Sequence, residues 1–120
     1  MHFEARANIE KNRLYIKLEG FFSDEVARNA AETIFAEIDK LQPGFAVIND
    51  VSNFKPGTPT GAKEIVRVQT YEQEHGVGRI VRIVGKEVIG KMQFERMSKE
   101  TDIKVEFATS LEEAERLLDT

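Results

Sequence analysis

The sequence predicts an α/β fold, a mixed sheet with helices packed on it in the order ββαβαβαβα. Three observations predict it. Two short segments near the start alternate apolar and polar residues across a turn, and apolar runs then alternate with helical patterns to the end of the chain. The run Phe45, Ala46, Val47, Ile48 stops at Asn49 and Asp50 and passes through Val51, Ser52, Phe54 and Pro56 to Gly61 before a helix begins. Such a strand end is where α/β proteins gather loop groups and free helix N–H groups into a site. No composition shift or Ser/Gly-rich linker divides the 120 residues, so residues 1–120 are expected to form one domain.

Each element has its own warrant. Phe3 to Ile9 and Leu14 to Leu18 read as an antiparallel pair joined by the turn formers Lys11 and Asn12. Ser23 offers an N-cap oxygen, Asp24 and Glu25 suit the positive helix end, and Val26, Ala27, Ala30, Ala31, Ile34, Phe35 and Ile38 recur at helical spacing up to Leu41. Pro43 and Gly44 stop this helix. After the Phe45 to Ile48 strand, a second helix is expected from Thr60 to His75, burying Ala62, Ile65, Val66 and Val68 and closing at Gly76. Ile80, Val81, Ile83 and Val84 form a strand that is apolar throughout except at Arg82, as for a strand covered on both faces. Val88, Ile89, Met92 and Met97 suggest a third helix, and Val105 to Ala108 a final strand. Ser110 with Glu113 then makes a capping box for a last helix whose apolar face is Leu111, Ala114, Leu117 and Leu118.

Composition excludes several classes. There is no cysteine, so disulfides, thiolate catalysis and thiolate metal sites are absent, in keeping with a reducing cytoplasm. The 17 Lys and Arg against 21 Asp and Glu give a net charge of −4, which speaks against a general nucleic-acid binder. No apolar run is long enough to cross a bilayer and the first residues carry no leader-like apolar segment, so a cytoplasmic protein without a membrane span is expected. His2 and His75 are the only histidines, and neither comes with a nucleophile-elbow sequence; His75 lies in a last helical turn, where a cation complements the dipole. Asp50 has no neighbouring metal-ligand spacing, so neither metal, cofactor nor catalytic residue is expected. Gly76-Val77-Gly78 precedes a strand and reads as a helix stop. The segment Gly57-Thr58-Pro59-Thr60-Gly61 lacks the Walker lysine, since Ala62 follows. Thr58 as cap and Pro59 at the first helical position explain it structurally, beside a reading in which the threonines meet an anion.

From Leu14 to Leu118 the chain resembles the STAS domain, the fold of bacterial anti-sigma-factor antagonists and of the cytoplasmic part of sulfate transporters, and within it the small divergent bacterial STAS-like proteins. The resemblance rests on Leu18-Glu19-Gly20-Phe21-Phe22-Ser23 before the first helix, on Val47-Ile48-Asn49-Asp50-Val51-Ser52, on Gly78, Val84 and Gly85, and on Glu112-Glu113-Ala114. It implies a regulatory, protein-binding role without catalysis. In the antagonists a kinase phosphorylates a serine in the loop before the second helix, and the matching position here is Pro59, flanked by Thr58 and Thr60 as candidate phosphoacceptors.

The expected function is therefore a noncatalytic interaction module that docks a protein partner through the 50–61 loop and the following helix. Asp50, Ser52, Thr58, Thr60, Lys63 and Arg67 are the candidate contacts, with Lys63 and Arg67 at i and i+4 forming a positive stripe. The alternative is a domain binding a small apolar, lipid-like molecule or a nucleotide in a cleft near Phe21 and Phe54, two rings that line a site or belong to the core.

Overall fold

The computed structural model describes residues 2–55, 59–85 and 104–120. The elements are β1 (His2–Asn8), β2 (Arg13–Phe21), α1 (Asp24–Ile38), β3 (Ala46–Lys55), α2 (Pro59–Glu74), β4 (Arg79–Ile83), β5 (Lys104–Ala108) and α3 (Leu111–Leu118). They follow the predicted order. The helix expected over Val88 to Met97 lies outside the described residues.

The five strands form one sheet in the order β1-β2-β3-β4-β5, with β1 antiparallel to β2 and every other neighbour parallel. Asn12 makes the hairpin turn at φ 54, a left-handed conformation that asparagine tolerates. Its side chain also exchanges two hydrogen bonds with the Gln42 backbone, at 2.8 and 3.1 Å, which ties the hairpin to the segment after α1.

Period-two alternation gives the sheet two dissimilar faces. Leu14, Ile16, Val47 and Ile80 pack with Ile34 and Ile38 of α1, and Val68 and Tyr71 of α2 join this core. Ile48, Val81, Ile83 and Ala108 point the other way and pack with Ala114, Leu117 and Leu118 of α3. Ser23 caps α1 by accepting from the Val26 N–H at 3.3 Å. Ser110 caps α3 by accepting from the Glu113 N–H at 3.1 Å, while Glu113 accepts from the Thr109 N–H at 2.8 Å.

Two expectations are corrected. β3 does not stop where its apolar run ends; it continues to Lys55 because β2 also runs on, pairing Glu19 with Asn53, Gly20 with Phe54 and Phe21 with Lys55. Backbone partners, not side-chain polarity, decide its length. On α2, Ala62 is exposed and Val66 is 59% exposed, whereas Glu64 and Glu72 are buried. The inward stripe is Gly61, Glu64, Ile65, Val68 and Glu72, so two acids occupy positions that a hydrophobic periodicity assigns elsewhere.

Gly76, at φ 83, ends α2 as the helix-stop reading expects. Gly78 packs on the preceding turn so closely that a Cβ would stand 2.9 Å from the Gly44 carbonyl oxygen.

Candidate functional site

Between α1, α2 and the sheet lies a cavity of about 290 Å³. Its floor is Ile16, Leu18, Asn49, Val51, Ile80 and Arg82, and α1 roofs it with Ala27, Ala30, Ala31 and Ile34. The small side chains of α1 leave the space; larger ones at the same positions would fill it. The inward stripe of α2 closes the remaining side.

One end of the cavity is aromatic. Phe22 and Phe54 meet edge to face with ring centroids 5.2 Å apart, and Phe3 packs on Phe22 at 6.3 Å. A bulge puts Phe54 there. Lys17 pairs with Asp50 but Glu19 with Asn53, so β3 carries one extra residue between these pairs. Strict alternation would send Phe54 away from Val51; the extra residue returns it to the same face. Ser52 sits in this bulge, and both its N–H and its hydroxyl donate to Asp50 Oδ1, at 3.1 and 2.7 Å.

The other end is polar and unsatisfied. Asn49 and Arg82 are register partners across β3 and β4, so their side chains rise next to each other from the same face. Glu72 faces them from α2 and is only 4% exposed. Neither Glu72 nor Arg82 makes a side-chain hydrogen bond or close ion pair among the described residues, and Asn49 Oδ1 is buried with no partner. Burial pushes the Glu72 carboxyl up to about 7, with the Arg82 charge opposing only in part. Burial likewise lowers Arg82, against the attraction of Glu72. Native proteins rarely leave buried polar groups in this state without a reason.

The sequence-predicted residues divide among several places. Phe54 lines the cavity, but Phe21 does not; it is 58% exposed at the end of β2, and Phe22 holds the place beside Phe54. Asp50 lies on the α3 side of the sheet with Tyr15 and Ile48, while Lys63 and Arg67 belong to α2 on the opposite side. Arg67 is bound rather than part of an open positive stripe: it donates to both Glu64 oxygens at 2.8 and 2.6 Å, reaches Glu32 at 3.4 Å and lies over the Phe35 ring. Thr60 falls in the first turn of α2, and Thr58 lies outside the described residues. His75 stacks on Tyr71 with centroids 4.0 Å apart, and its Nδ1 is 2.9 Å from the Tyr71 carbonyl oxygen. Among the described residues no three side chains gather as a metal site, and no helix is long and apolar enough to cross a membrane.

Sequence reasoning missed Glu72 and Asn49 as site residues. One signal was present: Arg82 is the charged residue that interrupts the apolar run Ile80 to Val84.

No protein-family model matches the chain, and no curated protein matches it in sequence. Solved structures do match. The anti-sigma factor antagonist SpoIIAA in its unphosphorylated form superposes with a TM-score of 0.60 at 14% identity, covering 97% of each chain. The Bacillus cell fate determinant SpoIIAA in its phosphorylated form superposes at 0.55 with 15% identity, covering 97% of this chain and 99% of that one. The chain thus has the STAS-like α/β fold, and at this identity the fold is what is shared.

Proposed function

We propose that this chain is a noncatalytic, cytoplasmic regulatory module that acts by docking a protein partner through the β3–α2 connection and the outer face of α2. One observation carries the reading. β4 leaves β3 at the Asp50–Ile83 pair, so from Val51 to Lys55 β3 has an edge without a strand neighbour among the described residues. Exposed Phe21 stands opposite Lys55 on the β2 side of that segment, across β3 from the free edge, and exposed Val66 and Lys63 lie on the helix that follows. A strand edge without a neighbour among the described residues suits an extended peptide or a partner's edge strand. That SpoIIAA is known in phosphorylated and unphosphorylated forms supports a reading in which phosphate regulates this chain too. Phosphate on Thr60 would stand in the first turn of α2, where the helix dipole favours negative charge, so docking would change more than stability.

Copurification tests this. Partners retained by the wild-type chain are compared with those retained by Phe21→Ser, Thr60→Glu and Lys63→Glu, each variant first checked by thermal melt. Loss of the same partner from folded variants is expected; equal retention by all three rejects this docking surface.

The second reading, a small apolar ligand, is favoured by the cavity itself, and it moves the site from the Phe21–Phe54 pair to the Phe22–Phe54 pair.

A further inference from the structure

Resting on that second reading, we propose that the cavity binds a medium-chain carboxylate, its head group on Arg82, Asn49 and Glu72 and its tail along Leu18, Val51 and the Phe22–Phe54 pair. The lining is divided as an amphiphile requires. The polar groups lie at Asn49 and Arg82, whereas Phe54 stands opposite Gly20 at the far end of the β2–β3 ladder. At ~3.3 Å per strand residue, those ends are roughly 15 Å apart. A volume of about 290 Å³ is at the small end for a ligand pocket, which suits one slender chain better than a nucleotide.

The chemistry of the head end selects the anion. Arg82 has five N–H donors, never gives up its charge near neutral pH, and makes no side-chain hydrogen bond among the described residues. A carboxylate satisfies it in the bidentate geometry that guanidinium favours. An alcohol would leave the charge unpaired, and an ammonium would be repelled. Glu72 is the obvious objection, because it is an acid in the same space. Burial already brings it to about 7, so near neutral pH it is readily protonated. A second carboxylate in the same desolvated space raises Glu72 further, so Glu72 takes a proton from solvent and donates it in a hydrogen bond to the bound carboxylate or to Asn49 Oδ1. Of the other groups facing Glu72, Glu64 is tied to Arg67, α1 offers alanines and Ile34, and β4 offers Arg82.

Binding should therefore take up a proton. Isothermal titration of the full chain with decanoate, at pH 6 and pH 8 and in buffers of different ionisation enthalpy, tests this. We expect one decanoate per chain, uptake of a proton at the higher pH, and affinity about tenfold weaker at pH 8 than at pH 6. Decanol and decylamine should bind more weakly. Glu72→Gln, which keeps a neutral donor in place, should retain decanoate and lose the pH dependence. Arg82→Met should lose the preference for decanoate over decanol, and Ile9→Ser, on an exposed side chain at the hairpin turn, should leave decanoate binding as in the wild type. If decanol binds as tightly as decanoate to the wild type, the cavity is a ligand site but the carboxylate assignment is overturned. If none of the three amphiphiles binds, or several bind per chain without saturation, the ligand reading itself falls.

Discussion

Arg13 and Arg82 stand on opposite faces of the same sheet and meet opposite conditions. Arg13 is 8% exposed on the α3 side, where it donates to Glu115 at 2.8 Å and Asp119 at 2.6 Å, and Tyr15 donates to the same Glu115 carboxylate. Burial works against its charge, but these bonds outweigh the burial and its pKa rises. Arg79 on the same face is likewise bound, to Glu106 at 2.6 Å. Arg82 faces α2, where burial lowers its pKa against the attraction of Glu72. A desolvated cation thus serves in two ways. On the α3 face the charge is consumed in fastening a helix of eight residues to the sheet, and on the α2 face it is left available.

The largest effect that separates the faces is the sign of a charge removal. Arg13→Met should destabilise the fold by about 2 kcal/mol, because it breaks a part-buried pair and leaves Glu115 without its main partner. Replacing Glu72 by Leu together with Arg82 by Met should stabilise it by about 2 kcal/mol, since two desolvated groups without hydrogen bonds give way to apolar side chains. Urea unfolding reads both. If both changes destabilise alike, the α2 face is as complete as the other and the contrast fails.

The next effect is the pH dependence of stability. The Glu72 carboxyl is raised in the folded state, so between the ordinary carboxylate range and about 7 the folded chain binds more protons than the unfolded one. Stability from this group is present at low pH and is lost as pH rises through about 7, a change on the order of 3 kcal/mol. Glu37 has the opposite sign: its hydrogen bond from Lys40 holds it below the ordinary value, so its contribution is lost only in acid. Thermal melts should therefore show wild-type stability declining from pH 5 to pH 8 and Glu72→Gln staying nearly level over that range. An equal decline in both would place the titration outside the cavity.

The two faces also differ in how far the sequence announces them. On the α3 face the capping box at Ser110 and Glu113 and the apolar stripe of Leu111, Ala114, Leu117 and Leu118 agree with the observed helix, although Leu111 is itself 52% exposed. Local signal and tertiary role coincide there. The partners of Arg13 were not legible, because they lie about a hundred positions away along the chain and only the sheet brings them together. On the other face the reading fails where burial opposes residue type. Glu64 and Glu72 occupy the inner stripe of α2, so periodicity turns the helix toward Ala62 and Val66. The bulge that turns Phe54 into the cavity depends on the pairing of β2 with β3, and the apolar run had suggested that β3 was already over. Such disagreements between local pattern and structure concentrate at functional sites.

The smallest effect concerns the caps, one on each side of the sheet. Ser23→Ala and Ser110→Ala each remove one side-chain acceptor from a helix N-terminus, worth about 1 kcal/mol in general. Their context differs. α1 has fifteen residues and buries Ala27, Ala30, Ala31, Ile34 and Ile38, so packing holds it whether or not the first turn is capped. α3 has eight residues with only Ala114 buried, and its last turns supply the acids that neutralise Arg13. Ser110→Ala should therefore cost more than Ser23→Ala. It should also be non-additive with Arg13→Met by about 0.5 kcal/mol or more, since both loosen the same helix, while Ser23→Ala and Arg13→Met simply add. A double-mutant cycle by urea unfolding measures that difference. Additivity in both cycles would mean that α3 is held by its apolar contacts alone, and that the charge network on its face fastens less than its geometry suggests.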